Sequence, residues 1–164
     1  QTRMIRVDNQ PRFKNASMVR VDERHSEPDR GTGVTRSMNL KRYGGKDLYS
    51  LQIGVYDDLY GKNFHEACEL RVAALNKLGE QAYYYHTEHK SMITLGLYNH
   101  DIAFTAVRVQ MPGSETAAWQ DQYSPFIRGL QKKHPHNVYN GQAESTDKNG
   151  DPVTLNSSLL VRVQ

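Results

Sequence analysis

Tyr49-Ser-Leu-Gln-Ile-Gly-Val-Tyr56 is the stretch on which the fold turns. Leu51, Ile53 and Val55 alternate with Ser50, Gln52, Gly54 and Tyr56, the two-residue period of a strand with one buried face. Ser91-Met-Ile-Thr-Leu-Gly-Leu-Tyr98 repeats the pattern, with Ile93, Leu95 and Leu97 set against Met92, Thr94, Gly96 and Tyr98. Between the two, Asn63 is placed to cap a helix whose apolar positions Phe64, Ala67, Cys68, Val72, Leu75 and Leu78 follow a 3.6-residue period. Gly79 stands where such a helix ends. Residues 81–86 read as a second strand, joined to the third by a hairpin loop, Thr87-Glu-His-Lys90. A four-residue loop pairs Tyr85 with Met92 and exposes Tyr83 and Tyr85, whereas a five-residue loop exposes Tyr84.

Downstream the signals are more widely spaced. The stretch from Asp101 to Val109 fits a helix or a strand, and Met111-Pro-Gly-Ser marks a turn. Ser124-Pro125 opens a second helix, Ser as cap and Pro in the first turn, running through Phe126, Ile127 and Leu130 until Pro135 stops it. Asn140-Gly141 and Asn149-Gly150 are turn dipeptides, and Leu159-Leu-Val-Arg-Val163 closes the chain as a fourth strand. The order β-α-β-β-α-β predicts an α+β, ferredoxin-like domain: a four-stranded antiparallel sheet with two helices on one face. On that frame Leu51, Ile53, Val55, Ile93, Leu95 and Leu97 point at the helices, joined by Leu159, Val161 and Val163. Gln52, Gly54, Tyr56, Thr94, Gly96 and Tyr98 then face away, with Leu160 and Arg162 beside them on the edge strand.

Charge divides the chain. Residues 1–50 hold eleven of the 21 Lys and Arg and six of the 18 Asp and Glu, a balance of +5, while the remainder carries −2. Only 37% of residues are hydrophobic and mean hydropathy is −0.75, so a core forms only where apolar residues concentrate, which is after Tyr49. Residues 1–48 therefore read as a basic extended arm and 49–164 as the domain, with insertions at about 99–122 and 135–157. Within the arm, Met4 to Val7 and Met18 to Val21 are short extended segments. An arm with so little to bury needs a surface to lie on: a neighbouring subunit in an assembly, or the chain's own domain. No apolar run is long enough for a transmembrane segment.

The quoted strands carry a resemblance. Tyr49 to Tyr56 resembles the opening strand of SPOR (sporulation-related repeat) domains, and Met92 to Tyr98 resembles their third strand with its apolar, Gly, aromatic ending. The likeness covers Tyr49 to Tyr98, loosens at the two insertions, and departs from the family at Val55, where a small residue is usual. It implies a non-catalytic module of the bacterial cell envelope, periplasmic or extracellular, that binds peptidoglycan glycan strands on the open sheet face. The ligand-binding positions it implies are Gln52, Tyr56, Thr94 and Tyr98. Arg162 adds a hydrogen-bond donor, with sugar C–H faces packing on the tyrosines.

Two other classes compete. A structural accessory subunit of an envelope or extracellular assembly would dock through the arm and the sheet face. An RNA-binding module would share the topology, but the domain's −2 balance and the absence of a basic-Gly-aromatic pattern in strand three disfavour nucleic acid. His86-Thr-Glu-His89 with His100, and His134-Pro-His136, lack a third and fourth zinc ligand at structural-site spacing, so no metal is expected. Cys68 lies on the buried helix stripe between acidic Glu66 and Glu69 and reads as an inert core thiol. No nucleophile elbow, phosphate loop or dinucleotide fingerprint appears, and no motif requires a cofactor.

Overall fold

The structure is a computed structural model that describes residues 31–110, 113, 117–142 and 156–163 in full, and the backbone of 17–19, 145–146 and 152–153. The chain is α+β. Its elements are β1 (Ser17–Val19), β2 (Leu48–Asp57), α1 (Phe64–Lys77), β3 (Ala82–His86), β4 (Lys90–Tyr98), α2 (His100–Ala103) and β5 (Phe104–Gln110). There follow β6 (Ala117–Tyr123), α3 (Pro125–Lys133), β7 (Val138–Tyr139), β8 (Ser145–Thr146), β9 (Pro152–Val153) and β10 (Leu159–Val163). The main sheet runs β1-β10-β2-β4-β3, with β7 joined to β2 beyond the end of β10. It is larger than the four antiparallel strands expected, and it is mixed: β1 on β10 and β7 on β2 are parallel pairs.

Both helices form where their end signals stand. Gly79 takes a left-handed φ of +85°, and the backbone N–H groups of Gly79 and Glu80 close on the carbonyls of Asn76 and Leu75 at 3.0 and 3.1 Å. Ser124 Oγ accepts from the Ile127 N–H at 3.2 Å, with Pro125 in the first turn of α3. Phe64, Cys68, Val72 and Leu75 of α1 share one apolar cluster with Leu51, Ile53, Ile93 and Leu95 of the sheet and with Ile127 of α3. Burying each such side chain contributes about 1.5–3 kcal/mol. Leu78, expected on the stripe, is exposed because the helix has already turned into its Gly79 ending.

Two irregularities in the β2–β4 ladder overturn part of the expected facing. Gln52 pairs with Thr94 but Gly54 pairs with Ile93, so Ile53 and Gly54 together oppose one residue, a bulge that reverses the side on which later residues emerge. Tyr56 is thereby turned into the helix-side cluster. On β4 the partners jump from Leu51↔Leu95 to Tyr49↔Tyr98, and Gly96 at the jump has a φ of +66°. Tyr98 is re-aimed in the same way and packs its ring edge-on against Phe126 of α3, 5.5 Å between centroids. The buried Ser50 hydroxyl braces this second bulge, reaching the carbonyls of Gly96 at 2.7 Å and Leu95 at 3.2 Å. The last strand is also reversed. Leu160, paired with Leu51, faces the helices, while Leu159, Val161 and Val163 join Tyr85, Met92 and Leu97 on the opposite face.

That opposite face is not open. Residues 31–47 wrap the β3 edge: Val34 enters the helix-side cluster, Asn39 bridges to Tyr84, and Leu40 and Tyr43 cross to the other face. Leu40 and Tyr85 are fully enclosed there, with Tyr43 set edge-on to Tyr83 at 5.5 Å and Lys41 Nζ 5.3 Å from the Tyr85 ring centre. Tyr85 pairs with Met92, the register of the shorter hairpin loop, yet it is covered rather than exposed. At the other edge, β1 of the arm lies parallel along β10 of its own domain. The segment Met4 to Val7 lies outside the described residues.

A Cβ at Gly96 would collide with the Tyr98 hydroxyl and ring, on a backbone already left-handed. Gly96→Ala should lower the unfolding free energy in urea by roughly 2–4 kcal/mol. A change under about 0.5 kcal/mol, the scale of an unremarkable surface substitution, would contradict the bulge.

Candidate functional site

The five positions nominated from the sequence separate. Gln52 and Thr94 remain cross-strand partners on the face away from the helices, but both are buried, and among the described residues the Thr94 hydroxyl has no hydrogen-bond partner. Tyr56 and Tyr98 belong to the helix-side cluster. Arg162 pairs with Tyr49 and forms an ion pair with Asp47 at the sheet rim. Burial first, then the charges of Glu80 and Tyr83, pushes the Tyr98 phenol up to about 12, as suits a ring packed under α3. The outward-facing row expected from strict alternation therefore loses both its tyrosines, since Gly54 and Gly96, counted within it, are the bulge residues that turn Tyr56 and Tyr98 to the helix side.

What the bulges build instead is a cavity of about 400 Å³ between the second half of α1, the end of α3 and β7. Along this wall β7 pairs with β2 in parallel, Gly54 with Val138 and Val55 with Tyr139. Ile53, Leu75, Ile93 and Val138 line it with apolar surface, while Arg71, Lys133, His134 and His136 supply basic groups. Glu80 holds Lys133 in an ion pair and lies 3.7 Å from His134 Nε2. The hydrogen bond from Lys133 is the main cause that holds the Glu80 carboxyl below its usual range, partial burial opposing it and the charges of Lys133 and His134 assisting.

Beyond Tyr56 the cavity wall is tied down by Asp57. Its carboxylate accepts hydrogen bonds from the Tyr139 hydroxyl, from Asn140 Nδ2 at 2.9 Å and from the Leu59 N–H at 3.1 Å, and Asn140 Oδ1 accepts the Asp57 N–H at 2.9 Å. Asn140-Gly141 is the turn read from the sequence, both residues with positive φ (49° and 77°), closed by the Gln142 N–H on the Tyr139 carbonyl at 3.0 Å. The second such dipeptide, Asn149-Gly150, lies outside the described residues.

A second feature projects from the sheet. Strands β5 and β6 pair only with each other over seven residues, Phe104↔Tyr123 to Gln110↔Ala117, as a two-stranded ribbon. Cross-strand partners share a face, so Ala106, Arg108, Trp119 and Asp121 line one side. Trp119, the chain's only tryptophan, is 65% exposed. Sequence reading left this region undivided between helix and strand. The one signal for it was Thr105-Ala-Val-Arg-Val109, whose alternation is real but too weakly polarised to choose.

The remaining polar cluster is internal. Ser91 Oγ lies 2.8 Å from His86 Nδ1, His86 Nε2 lies 3.0 Å from Glu69 Oε1, and Thr32 donates to Glu69 Oε2 at 2.7 Å. The order of groups is that of a hydrolytic triad, but Ser91 is fully buried, so no substrate carbonyl reaches its Oγ. The network fastens α1 to β3, β4 and the wrapping segment. Cys68 donates to the Met92 carbonyl at 3.5 Å, and burial, aided by Glu69, raises its thiol well above the ordinary range. Among the described residues no three His, Cys, Asp or Glu side chains converge as metal ligands, and no helix is long and apolar enough to cross a membrane.

Comparison with protein-family models, with curated proteins and with solved structures returned no match.

Burial opposes ionisation of Asp57, but the hydrogen bonds from Tyr139, Asn140 and Leu59, with the nearby Lys90, outweigh it and leave the carboxyl below its usual 3.8. A depressed carboxyl stabilises the fold above its unfolded value, and that stability is lost as pH falls through the folded value. The stability gap between the native chain and Asp57→Asn, measured by urea unfolding, should accordingly be widest near pH 6 and shrink below pH 3.8. A gap that stays constant from pH 6 to pH 3 would show that the carboxylate contributes nothing through its charge.

Proposed function

We propose that the chain is a non-catalytic carbohydrate-binding module built on a ferredoxin-like, SPOR-like frame of β2-α1-β3-β4-α3-β10. The antiparallel run β10-β2-β4-β3 supports the frame, with α1 and α3 contributing to one apolar cluster. The additional strands β1 and β7 and the β5–β6 ribbon are then elaborations of it. The observation that carries the functional reading is Trp119: an indole 65% exposed on a ribbon face, cross-strand from Arg108 and flanked on that face by Asp121. An exposed indole offers an apolar plane to the C–H face of a sugar ring, and the neighbouring charged groups can take its hydroxyl or acetamido substituents. The likeness of Tyr49–Tyr56 and Met92–Tyr98 to SPOR strands nominates peptidoglycan glycan, in a bacterial envelope, as the first ligand to try.

A second reading has its own observation. An isolated two-stranded ribbon is marginally stable in water, so β5–β6 also suits a docking element of an accessory subunit covered by another envelope protein. RNA finds less support, because the face of β2 and β4 away from the helices presents Gln52, Thr94, Met92 and Leu97 and no exposed aromatic ring.

In pull-downs on peptidoglycan sacculi, amidase-treated material should retain the chain over untreated material. Trp119→Ala should lose at least about tenfold of that retention, the scale of a lost aromatic anchor. Equal retention by Trp119→Ala would remove the ribbon as the binding surface. Glycan-independent co-elution with an envelope protein that Trp119→Ala abolishes would establish the docking role instead.

A further inference from the structure

The cavity beside Tyr56 has a composition that the ribbon lacks: an apolar floor under a basic rim. Lys133 is already engaged by Glu80, which also lies beside His134. Arg71 differs. It stands on α1 at the cavity mouth, and among the described residues no carboxylate lies within ion-pair distance of its guanidinium. A planar guanidinium presents paired N–H donors that match the two oxygens of a carboxylate, and it cannot be discharged at any physiological pH. At about 400 Å³ the cavity lies in the lower part of the size range that holds small molecules. Its floor of Ile53, Leu75 and Ile93 suits a ring's apolar face and not a fully hydrated ion.

We propose that this cavity is a second site, one that takes the carboxylate of an acidic sugar, with Arg71 as the anchor and the ring seated on Ile53, Leu75 and Ile93. Glu80 pairs with Lys133 and lies 3.7 Å from His134 Nε2, so the acid already present in this wall is turned toward α3 and away from Arg71. This choice of ligand rests on the carbohydrate reading, whereas the anchoring role of Arg71 stands on the cavity alone.

Calorimetric titration of the full chain with D-glucuronate, D-glucose and inorganic phosphate tests it, with Arg71→Ala, Arg71→Lys and Trp119→Ala alongside and a thermal melt of each to verify folding. Glucuronate should bind at least about tenfold more tightly than glucose, the two differing at one carboxylate. Arg71→Ala should abolish that preference and Arg71→Lys should recover part of it. Equal affinity for glucose, phosphate binding as tight as glucuronate, no titration by any probe, or an Arg71→Ala indistinguishable from the native chain would each overturn the proposal. Loss of sacculus retention in Trp119→Ala together with no glucuronate titration would sink this site and leave the carbohydrate reading intact. Glucuronate binding that depends on Arg71 in a chain that ignores sacculi would do the reverse.

Discussion

The structure depends on two residues' worth of mismatch between β2 and β4. Side chains on a strand emerge on alternate sides, so one extra residue reverses every side chain beyond it. At Ile53 and Gly54 the extra residue lies on β2, and at Gly96 the chain passes through a left-handed backbone that L side chains rarely adopt. Between the bulges the pairing is regular and puts Leu51 and Leu95 toward the helices. Outside them Tyr56 and Tyr98 swing onto the same side, so the helix layer rests on a wider and more aromatic platform than four regular strands would give. Beyond the bulge β7 pairs with Gly54 and Val55, Asp57 locks the turn behind it, and the cavity appears in the remaining gap.

Closure of the rest follows. The reversed β10 sends Val161 and Val163 to the face away from the helices, where Leu40 and Tyr85 meet them. Residues 31–47 cover the β3 edge and β1 covers β10, so both outer edges of the sheet are engaged by the chain's own N-terminal region. An uncovered edge is a template for unwanted pairing, and sealing it by a wrapping segment is one of the ways proteins manage that hazard. The Thr32–Glu69–His86–Ser91 network fixes the start of this wrap in the core, a buried polar chain in which each partner is hydrogen-bonded. With both faces and both edges engaged, ligand contacts move to the periphery, to the ribbon and to the cavity.

Much of this was legible in the residues. Gly79 carried the end of α1, Ser124-Pro125 carried α3, and Asn140-Gly141 carried its turn, because caps and turns are local chemistry, although Asn63 stands at the start of α1 without a side-chain capping bond. The bulges were visible only as Gly54 and Gly96, each a glycine inside a strand pattern, a position that often marks a bulge; counting strict alternation through them turned two core tyrosines into a surface shelf. Leu159-Leu-Val-Arg-Val163 is apolar at both parities, so its facing depended on the cross-strand register with Leu51 and not on its own pattern. The cavity was illegible in a stronger sense. Gly54, Arg71 and His134 are far apart in the chain, and only the packed fold makes them neighbours.

The most direct measurement is a set of nuclear Overhauser contacts from the Tyr98 ring in the purified chain. Ring-to-ring contacts with Phe126, in the edge-on arrangement at 5.5 Å, are the predicted result. Contacts from Tyr98 to Thr94 and Gln52 in their place would put the ring back on the face away from the helices, and the bulge at Gly96 would fall with it.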